Sequence, residues 1–412
     1  MNIKLSCLSV AISVALVTSL NAEPLFITKG GGKPEQYWKA WQQAKNCDSD
    51  RAHERSPKEA HKNIKLPRKL PPDAGLSFKA GWRFPLECAV APYAIIWDSV
   101  PLPQNAGVNG KYAGTSEVPA DPITLYFSVS LARFFDSKLD QEKRGKVATK
   151  IVAKLVEAAD AKALTKNNRA RFGSKPFDYP TMNAVFAAAV AFIALERRME
   201  PEQRAKVYAW LTPMIEASLN SKWGGVPDNK AIYRETLGAL WGRFIDRPEL
   251  VQRAAEAYRF HTRYMRPDGS FGRDASRGGT SVHYNTLTAE GMIFIAAMDA
   301  MDGGSLFDYS ENGRDIHDPV SFMVDFAGDH ALNAKYGRAC EGSMGTIKEP
   351  STYFLRLSSE GTAMTAMRVY AARYPDSELT KRMIARLPHL AMPLASGDTK
   401  FGALGCLLGS VP

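Results

Sequence analysis

One helical segment follows another from Asp121 onward, and this succession limits the fold more than any other feature of the sequence. The segments are rich in Ala and Leu, have helical length and are separated by short breaks of Pro, Gly or Asp. They cover residues 181–198, 202–218, 231–244, 249–265, 284–301 and 361–373. No alternating run of strand length competes with them. We therefore predict an all-α fold for residues 121–412, with helical hairpins arranged around an axis as the incomplete barrel of an α/α toroid.

The residues before the helical region differ from it in character. Residues 1–22 combine a basic Lys4, an apolar stretch and a small Ala22, which is typical of a secretory signal peptide. Residues 23–120 form an irregular segment, and residues 98–122 are a candidate lid loop because they are rich in Gly and Pro. We expect a periplasmic or secreted protein. No later stretch approaches the ~20 apolar residues needed to span a bilayer, so we predict no membrane association.

Export makes the cysteines informative. Cys7 leaves with the signal peptide, and Cys47, Cys88, Cys340 and Cys406 remain. In an oxidising compartment these four can form two disulfides in any of three pairings, and buried free thiols are the alternative. Because they lack the CxxC spacing of a zinc site, we predict no metal site there. We expect no cofactor either, because Arg277, Asn229 and Lys230, discussed below, can supply the charge stabilisation that the proposed chemistry needs.

The chain is basic, with a formal net charge of +10. A basic exported protein attracts anionic partners, although a solvated surface without a partner would have the same charge. The sequence contains no recognisable nucleic-acid-binding module, so we predict no nucleic acid partner. An acidic polysaccharide fits better, and we expect the protein to bind it as a monomer.

Residues 266–285 contain side chains that suit the β-elimination of a uronic acid polymer. A tight Asp268–Gly269 turn precedes Arg277, and Tyr284 follows seven residues later. The planar guanidinium of an arginine matches a carboxylate, and a tyrosine can move a proton when nearby cations favour its phenolate. Tyr284 is expected in the first turn of a helix, with Thr280 or Ser281 as its cap. Considered alone, Arg277 would be a surface ion-pair partner and Tyr284 a half-buried aromatic residue.

A second cluster lies at residues 228–234, after a Trp-Gly-Gly turn. Asn229 and Lys230 place an amide beside a cation at an expected helix start, where both can hold the same carboxylate. The alternative is that Asp228 is simply a helix cap and Lys230 a solvated side chain.

Together these motifs resemble the alginate lyase (mannuronate lyase) superfamily. The family's Asn-Asn-His-Ser-Tyr-Trp motif aligns with residues 228–233, so that its second Asn falls on Asn229, its His on Lys230 and its Trp on Tyr233. Its Asp-Gly-Ser-Phe turn is present at 268–271 and its Glu-Asn-Gly-Arg-Asp-Ile-His segment at 311–317. The family's catalytic Arg and Tyr match Arg277 and Tyr284.

The resemblance implies exported α/α-toroid enzymes and a role for each matched residue. It implies that Tyr284 is both base and acid, while Arg277 and Asn229 neutralise the carboxylate. Lys230 replaces the family's His and can still neutralise charge. The family also has a lid-loop tyrosine, for which Tyr112 is the counterpart by position. The further substrate contacts that we predict are Tyr233, Arg234 and His283, whereas Arg314 and Asp315 are expected to form internal ion pairs.

We therefore predict an exported polysaccharide lyase that cleaves a β-1,4-linked polyuronate. Mannuronan-type alginate is the first choice of substrate and glucuronan the second, since both share the C5 proton and the C4 leaving group. The missing histidine at Lys230 predicts weak or no action on polyguluronate. The alternative is a non-catalytic polyuronate-binding protein; a hydrolase with paired carboxylates has little support from the motifs.

Overall fold

The computed structural model describes residues 64–79, 81–84, 88, 105–106, 122–167, 179–221, 228–277, 280–326, 364–386, 401 and 403–410. The predicted signal peptide, Tyr112 with most of the candidate lid loop, Cys47 and Cys340 lie outside these ranges.

The described part of the chain is helical, as predicted. The helices are α1 (Pro122–Phe134), α2 (Gln141–Asp160), α3 (Tyr179–Leu195), α4 (Pro201–Leu219), α5 (Asn229–Phe244), α6 (Pro248–Tyr264), the short α7 (Gly272–Ala275), α8 (Ser281–Met301), α9 (His317–Phe326), α10 (Met364–Arg373), α11 (Glu378–Arg386) and α12 (Leu404–Ser410). Two strands of two residues each, β1 (Asn105–Ala106) and β2 (Lys166–Asn167), pair in parallel. All six predicted segments are helices whose ends differ by a few residues. The other described helices, α1, α2, α7, α9, α11 and α12, were not among those six segments.

Local sequence explains where several helices begin. Pro201 and Pro248 occupy the first positions of α4 and α6, where the missing N–H of proline costs nothing. Asp140 caps α2 by accepting a hydrogen bond from the Lys143 backbone N–H at 2.8 Å. Asp228 caps α5 in the same way through the Ala231 N–H, also at 2.8 Å.

Five helices close a circuit of contacts, which we call the inner ring: α3, α5, α8, α10 and α12. Each packs on the next, and α12 returns to α3. Inner helices such as α5 and α8 are buried on almost every side, whereas α2, α6 and α11 are amphipathic and lie outside the ring. The α5–α8 contact is close, since a Cβ atom at Gly291 would lie 2.8 Å from Ile232. This arrangement is the predicted α/α toroid.

A disulfide connects the two ends of the helical region. Cys88 precedes α1, Cys406 lies in α12, and the bond joins residues 318 positions apart in the sequence. This bond selects one of the three pairings that the sequence left open. Among the described helices, none is both long and apolar enough to cross a membrane.

Candidate active site

The structure brings Arg277 and Tyr284 into direct contact. Tyr284 is the fourth residue of α8, in its first turn as predicted, and Arg277 lies on the segment between α7 and α8. The Arg277 guanidinium carbon is 3.9 Å from the centroid of the Tyr284 ring. A cation at this distance over an aromatic face is attracted by the electron-rich π system. Both side chains are partly exposed, so a bound ligand can reach them.

The hydroxyl groups at the start of α8 do not cap the helix, which corrects our prediction. Thr280 is in the cap position, but its Oγ1 donates to the Arg277 carbonyl oxygen at 3.0 Å. Ser281 Oγ donates to the Ala275 carbonyl oxygen at 2.7 Å. Both hydroxyls therefore hold the segment that carries Arg277 against the helix that carries Tyr284.

The start of α5 supplies the second group of candidate residues. Asn229 is the first residue of the helix and is fully buried, and Lys230 follows it with a partly exposed side chain. The Asp228 carboxylate caps the helix, as its sequence context alone suggested, and one of its oxygens is 3.3 Å from Arg273 Nε.

A buried carboxylate that sequence reasoning missed connects these two groups. Asp274 lies in α7 and is completely inaccessible to solvent. Its Oδ2 accepts hydrogen bonds from the Asn229 backbone N–H at 3.0 Å and from Thr288 Oγ1 at 2.6 Å. Its Oδ1 is 3.9 Å from Arg277 Nε. The only signal of this residue in the sequence is an acid three residues before Arg277, and the sequence does not reveal that the acid is buried.

The environment of Asp274 favours its protonated form. Burial, together with the nearby negative charge of Asp228, raises the pKa of this carboxyl to about 7, while Arg277 opposes the increase. Asp274 therefore changes its charge near neutral pH, next to the two residues that the sequence singled out.

Two predicted substrate contacts are core residues. Tyr233 is 1% exposed, and its ring centroid is 4.9 Å from that of Phe186. Arg234 is 0% exposed; its Nε donates to Glu235 at 2.6 Å and its Nη1 to the Ser221 carbonyl oxygen at 2.8 Å. Burial lowers the pKa of Arg234, and the charge of Glu235 opposes that decrease. Because a polymer cannot reach either side chain, we correct both predictions.

The two histidines near these residues, His283 and His261, differ in their exposure to solvent. His283 is partly exposed, and its ring centroid is 5.1 Å from that of Tyr284, so it remains a candidate contact. His261 is buried, and its ring nitrogens are 2.7 Å and 3.3 Å from the carbonyl oxygens of Ala257 and Asp228. Burial lowers the pKa of His261, and its position below the start of α5 indicates a structural role.

The 311–317 segment also has a structural role. Arg314 pairs with Asp318 at 3.5 Å, in agreement with the predicted internal ion pair. Asp315 accepts a hydrogen bond from the His317 backbone N–H at 2.8 Å, and among the described residues it pairs with no cation. Over the described ranges, no group of three or more His, Cys, Asp or Glu side chains could hold a metal ion.

Comparison with known proteins agrees with this geometry. Residues 141–332, just under half of the chain, match the family model described as alginate lyase. No curated protein matches the sequence. Alginate lyase A1-III from Sphingomonas species A1 superposes with a TM-score of 0.51 at 18% identity, covering 90% of this chain and 99% of that one. An alginate lyase from Bacteroides ovatus gives a TM-score of 0.50 at 11% identity, covering 91% and 96%.

A variant of the A1-III enzyme complexed with a tetrasaccharide gives a TM-score of 0.53 at 19% identity, covering 79% of this chain and 88% of that one. At these identities the solved structures establish the shared fold, and the family match covers the segment in which Asn229, Arg277 and Tyr284 lie. Residues 141–332 are therefore similar to the alginate lyase family of polysaccharide lyases, and the chain shares the fold of solved alginate lyases.

Proposed function

We propose that this protein is an exported lyase that cleaves a β-1,4-linked polyuronate by β-elimination, with polymannuronate preferred and glucuronan second. The observation that carries the proposal is the contact of the Arg277 guanidinium with the Tyr284 ring at 3.9 Å. A guanidinium that could bind a carboxylate and a phenol that could transfer a proton thus share one partly exposed surface, which supports the proposal. A solved member of the family is complexed with a tetrasaccharide, which supports a substrate of several linked sugars.

Each step of the reaction has a residue that suits it. Arg277, with the amide of Asn229 and the cation of Lys230, would bind the uronate carboxylate and so stabilise the negative charge that develops at C5. Tyr284 as phenolate would accept the C5 proton. The C4–O4 bond then breaks as the C4=C5 double bond forms, and Tyr284 returns the proton to O4 of the leaving sugar.

Export of the protein belongs to the same proposal. The sequence of residues 1–22 is typical of a signal peptide, and the Cys88–Cys406 disulfide is the kind of bond that persists in the periplasm or outside the cell. A substrate of polymeric size also requires an enzyme outside the cytoplasm.

A non-catalytic polyuronate-binding protein is the second candidate, and Lys230 favours it because the family has histidine there. In that case the basic site would bind the polymer, and no covalent bond of the polymer would change.

One experiment separates the two. Purified mature protein is incubated separately with polymannuronate, polyguluronate and glucuronan, and the ultraviolet absorbance of unsaturated uronate is followed. We expect the absorbance to rise with polymannuronate, to rise second fastest with glucuronan and to change little with polyguluronate. Binding without any rise in absorbance would instead support the binding protein.

A further inference from the structure

We propose that Asp274 is the positioning residue of this site, and that its ionised carboxylate sets the placement of Arg277 and of the start of α5. The inference rests on the proposed function, because it concerns the geometry that elimination requires. Asp274 itself touches no substrate, since it is fully buried.

Asp274 contacts the start of α5, helix α8 and Arg277, which together carry the candidate site residues. Oδ2 binds the N–H of Asn229, which fixes the first residue of α5. The same oxygen binds Thr288, which lies one turn after Tyr284 in α8 and whose Oγ1 is 3.4 Å from the Tyr284 carbonyl oxygen. Oδ1 faces Arg277. One carboxylate therefore sets the positions of α5, of α8 and of the cation between them.

Only one of these contacts depends strongly on the charge of Asp274. A protonated carboxyl group can still accept the hydrogen bonds from Asn229 and Thr288 through one oxygen. The attraction between Oδ1 and Arg277 requires the ionised form, because at 3.9 Å it is an interaction between charges. Protonation should therefore leave the helices in place and release Arg277 from its position against the Tyr284 ring.

The neighbouring charges determine where this switch occurs. Among the described residues, Asp228 faces Asp274 from the start of α5 and Arg273 from α7, with Arg277 beside it. His261 of α6 reaches the carbonyl oxygen of Asp228 and not the carboxylate of Asp274. Burial, with the negative charge of Asp228, raises the pKa of Asp274 to about 7, so both forms are populated near neutral pH.

Two matched variants separate the charge of Asp274 from its hydrogen bonds. Asp274→Asn removes the charge that faces Arg277, whereas Thr288→Val removes only a hydrogen bond to the same carboxylate. With polymannuronate we expect kcat of Asp274→Asn to fall ~10- to 100-fold, with KM changed much less, because a small displacement of a catalytic group costs rate and not affinity. The kcat of the wild type should decrease as the pH falls below about 7, and the kcat of Thr288→Val should show the same decrease.

Asp228→Asn provides a second test that keeps the helix cap, because asparagine caps helices as well as aspartate does. Removing the negative charge beside Asp274 should lower the pKa of Asp274, so the decrease of kcat should begin at a lower pH than in the wild type. A decrease that begins at the wild-type pH in Asp228→Asn, or wild-type kcat in Asp274→Asn, would overturn the role of Asp274 and leave the proposed function intact. A wild type that forms no unsaturated product from any of the polymers overturns both.

Discussion

The guanidinium of Arg277 lies 3.9 Å from the ring centroid of Tyr284, although seven residues and a helix start separate the two in sequence. Thr280 and Ser281 hold the intervening segment through hydrogen bonds to backbone carbonyl groups. Because the cation covers the face of the ring, the tyrosine hydroxyl at the ring edge remains available to a ligand. This arrangement agrees with our proposal that the pair binds a carboxylate and exchanges a proton with the same sugar.

Tyr284→Phe should abolish most turnover and keep substrate affinity. Phenylalanine preserves the aromatic face that Arg277 covers but removes the hydroxyl that exchanges the proton. We expect kcat to fall at least ~100-fold, the scale of lost acid–base catalysis. Product formation with polymannuronate and calorimetric binding of a mannuronate oligosaccharide would measure the two effects. Unchanged turnover in this variant would exclude Tyr284 as the proton carrier.

Arg277→Lys should reduce kcat even though the positive charge is kept. An ammonium group is a compact charge and cannot offer the planar pair of donors that matches a carboxylate. We expect a loss of ~10- to 100-fold in kcat, within the range for removing a donor that stabilises developing charge. Arg382→Lys is a suitable control, since Arg382 is about half exposed and pairs with Asp325 on the outer helices. Equal activity of the two variants would contradict the role of Arg277.

Glu235→Gln should destabilise the fold strongly. Glu235 accepts from Arg234 at 2.6 Å and from Arg253 at 2.7 Å, and the substitution removes the counter-charge shared by the fully buried Arg234 and the partly buried Arg253. Removing one partner of a buried ion pair costs about 3–5 kcal/mol of the free energy of unfolding. In urea unfolding, the exposed Glu378→Gln should cost less than ~1 kcal/mol, because its partner Lys381 is solvated. Similar losses in both variants would show that the buried pair contributes little.

Gly269→Ala should cost more stability than Gly303→Ala. Both glycines have a positive φ, +82° and +84°, so alanine meets the same backbone strain at each position. At Gly269 a Cβ atom would also lie 2.3 Å from the Asp318 carbonyl oxygen, whereas at Gly303 nothing lies within 4 Å. We expect ~1–2 kcal/mol for Gly303→Ala and a larger loss for Gly269→Ala in urea unfolding. The difference between the two variants measures how tightly the Asp268–Gly269 turn packs against α9.

The stability of the protein should depend on pH through Asp274. Its pKa is about 7 in the folded state and 3.8 in the unfolded chain, so between these values the folded state holds a proton that the unfolded chain has lost. Raising the pH through this window should therefore lower the free energy of unfolding. In Asp274→Asn the free energy of unfolding should depend less steeply on pH. Asp299 contributes to the pH dependence that remains, because burial raises its pKa as well. Parallel slopes in urea titrations of the two proteins would refute the assignment.

The sequence was sufficient to predict the helical fold and the proximity of Arg277 and Tyr284. Apolar periodicity predicted the main helices because it depends only on which side chains can be buried together. It did not predict α9, whose first residues, His317 and Asp318, belong to a motif that we interpreted by resemblance.

The sequence could not separate residues that face the site from residues that face the core. Arg234 belongs to the same sequence cluster as Asn229 and Lys230, yet its neighbour Glu235 and the Ser221 carbonyl group hold it inside. Asp274 was missed for the same reason. Its partners are Asn229, 45 residues away, and Thr288, 14 residues away, and only the packing of α5 against α8 brings them together.

The Cys88–Cys406 bond has a consequence for how the protein is made. Cys88 is synthesised before every described helix and Cys406 within the last of them, so the bond can form only after the ribosome has produced the entire toroid. Oxidation is therefore a late step in maturation. Until it happens, the closure of α12 onto α3 depends on non-covalent contacts alone.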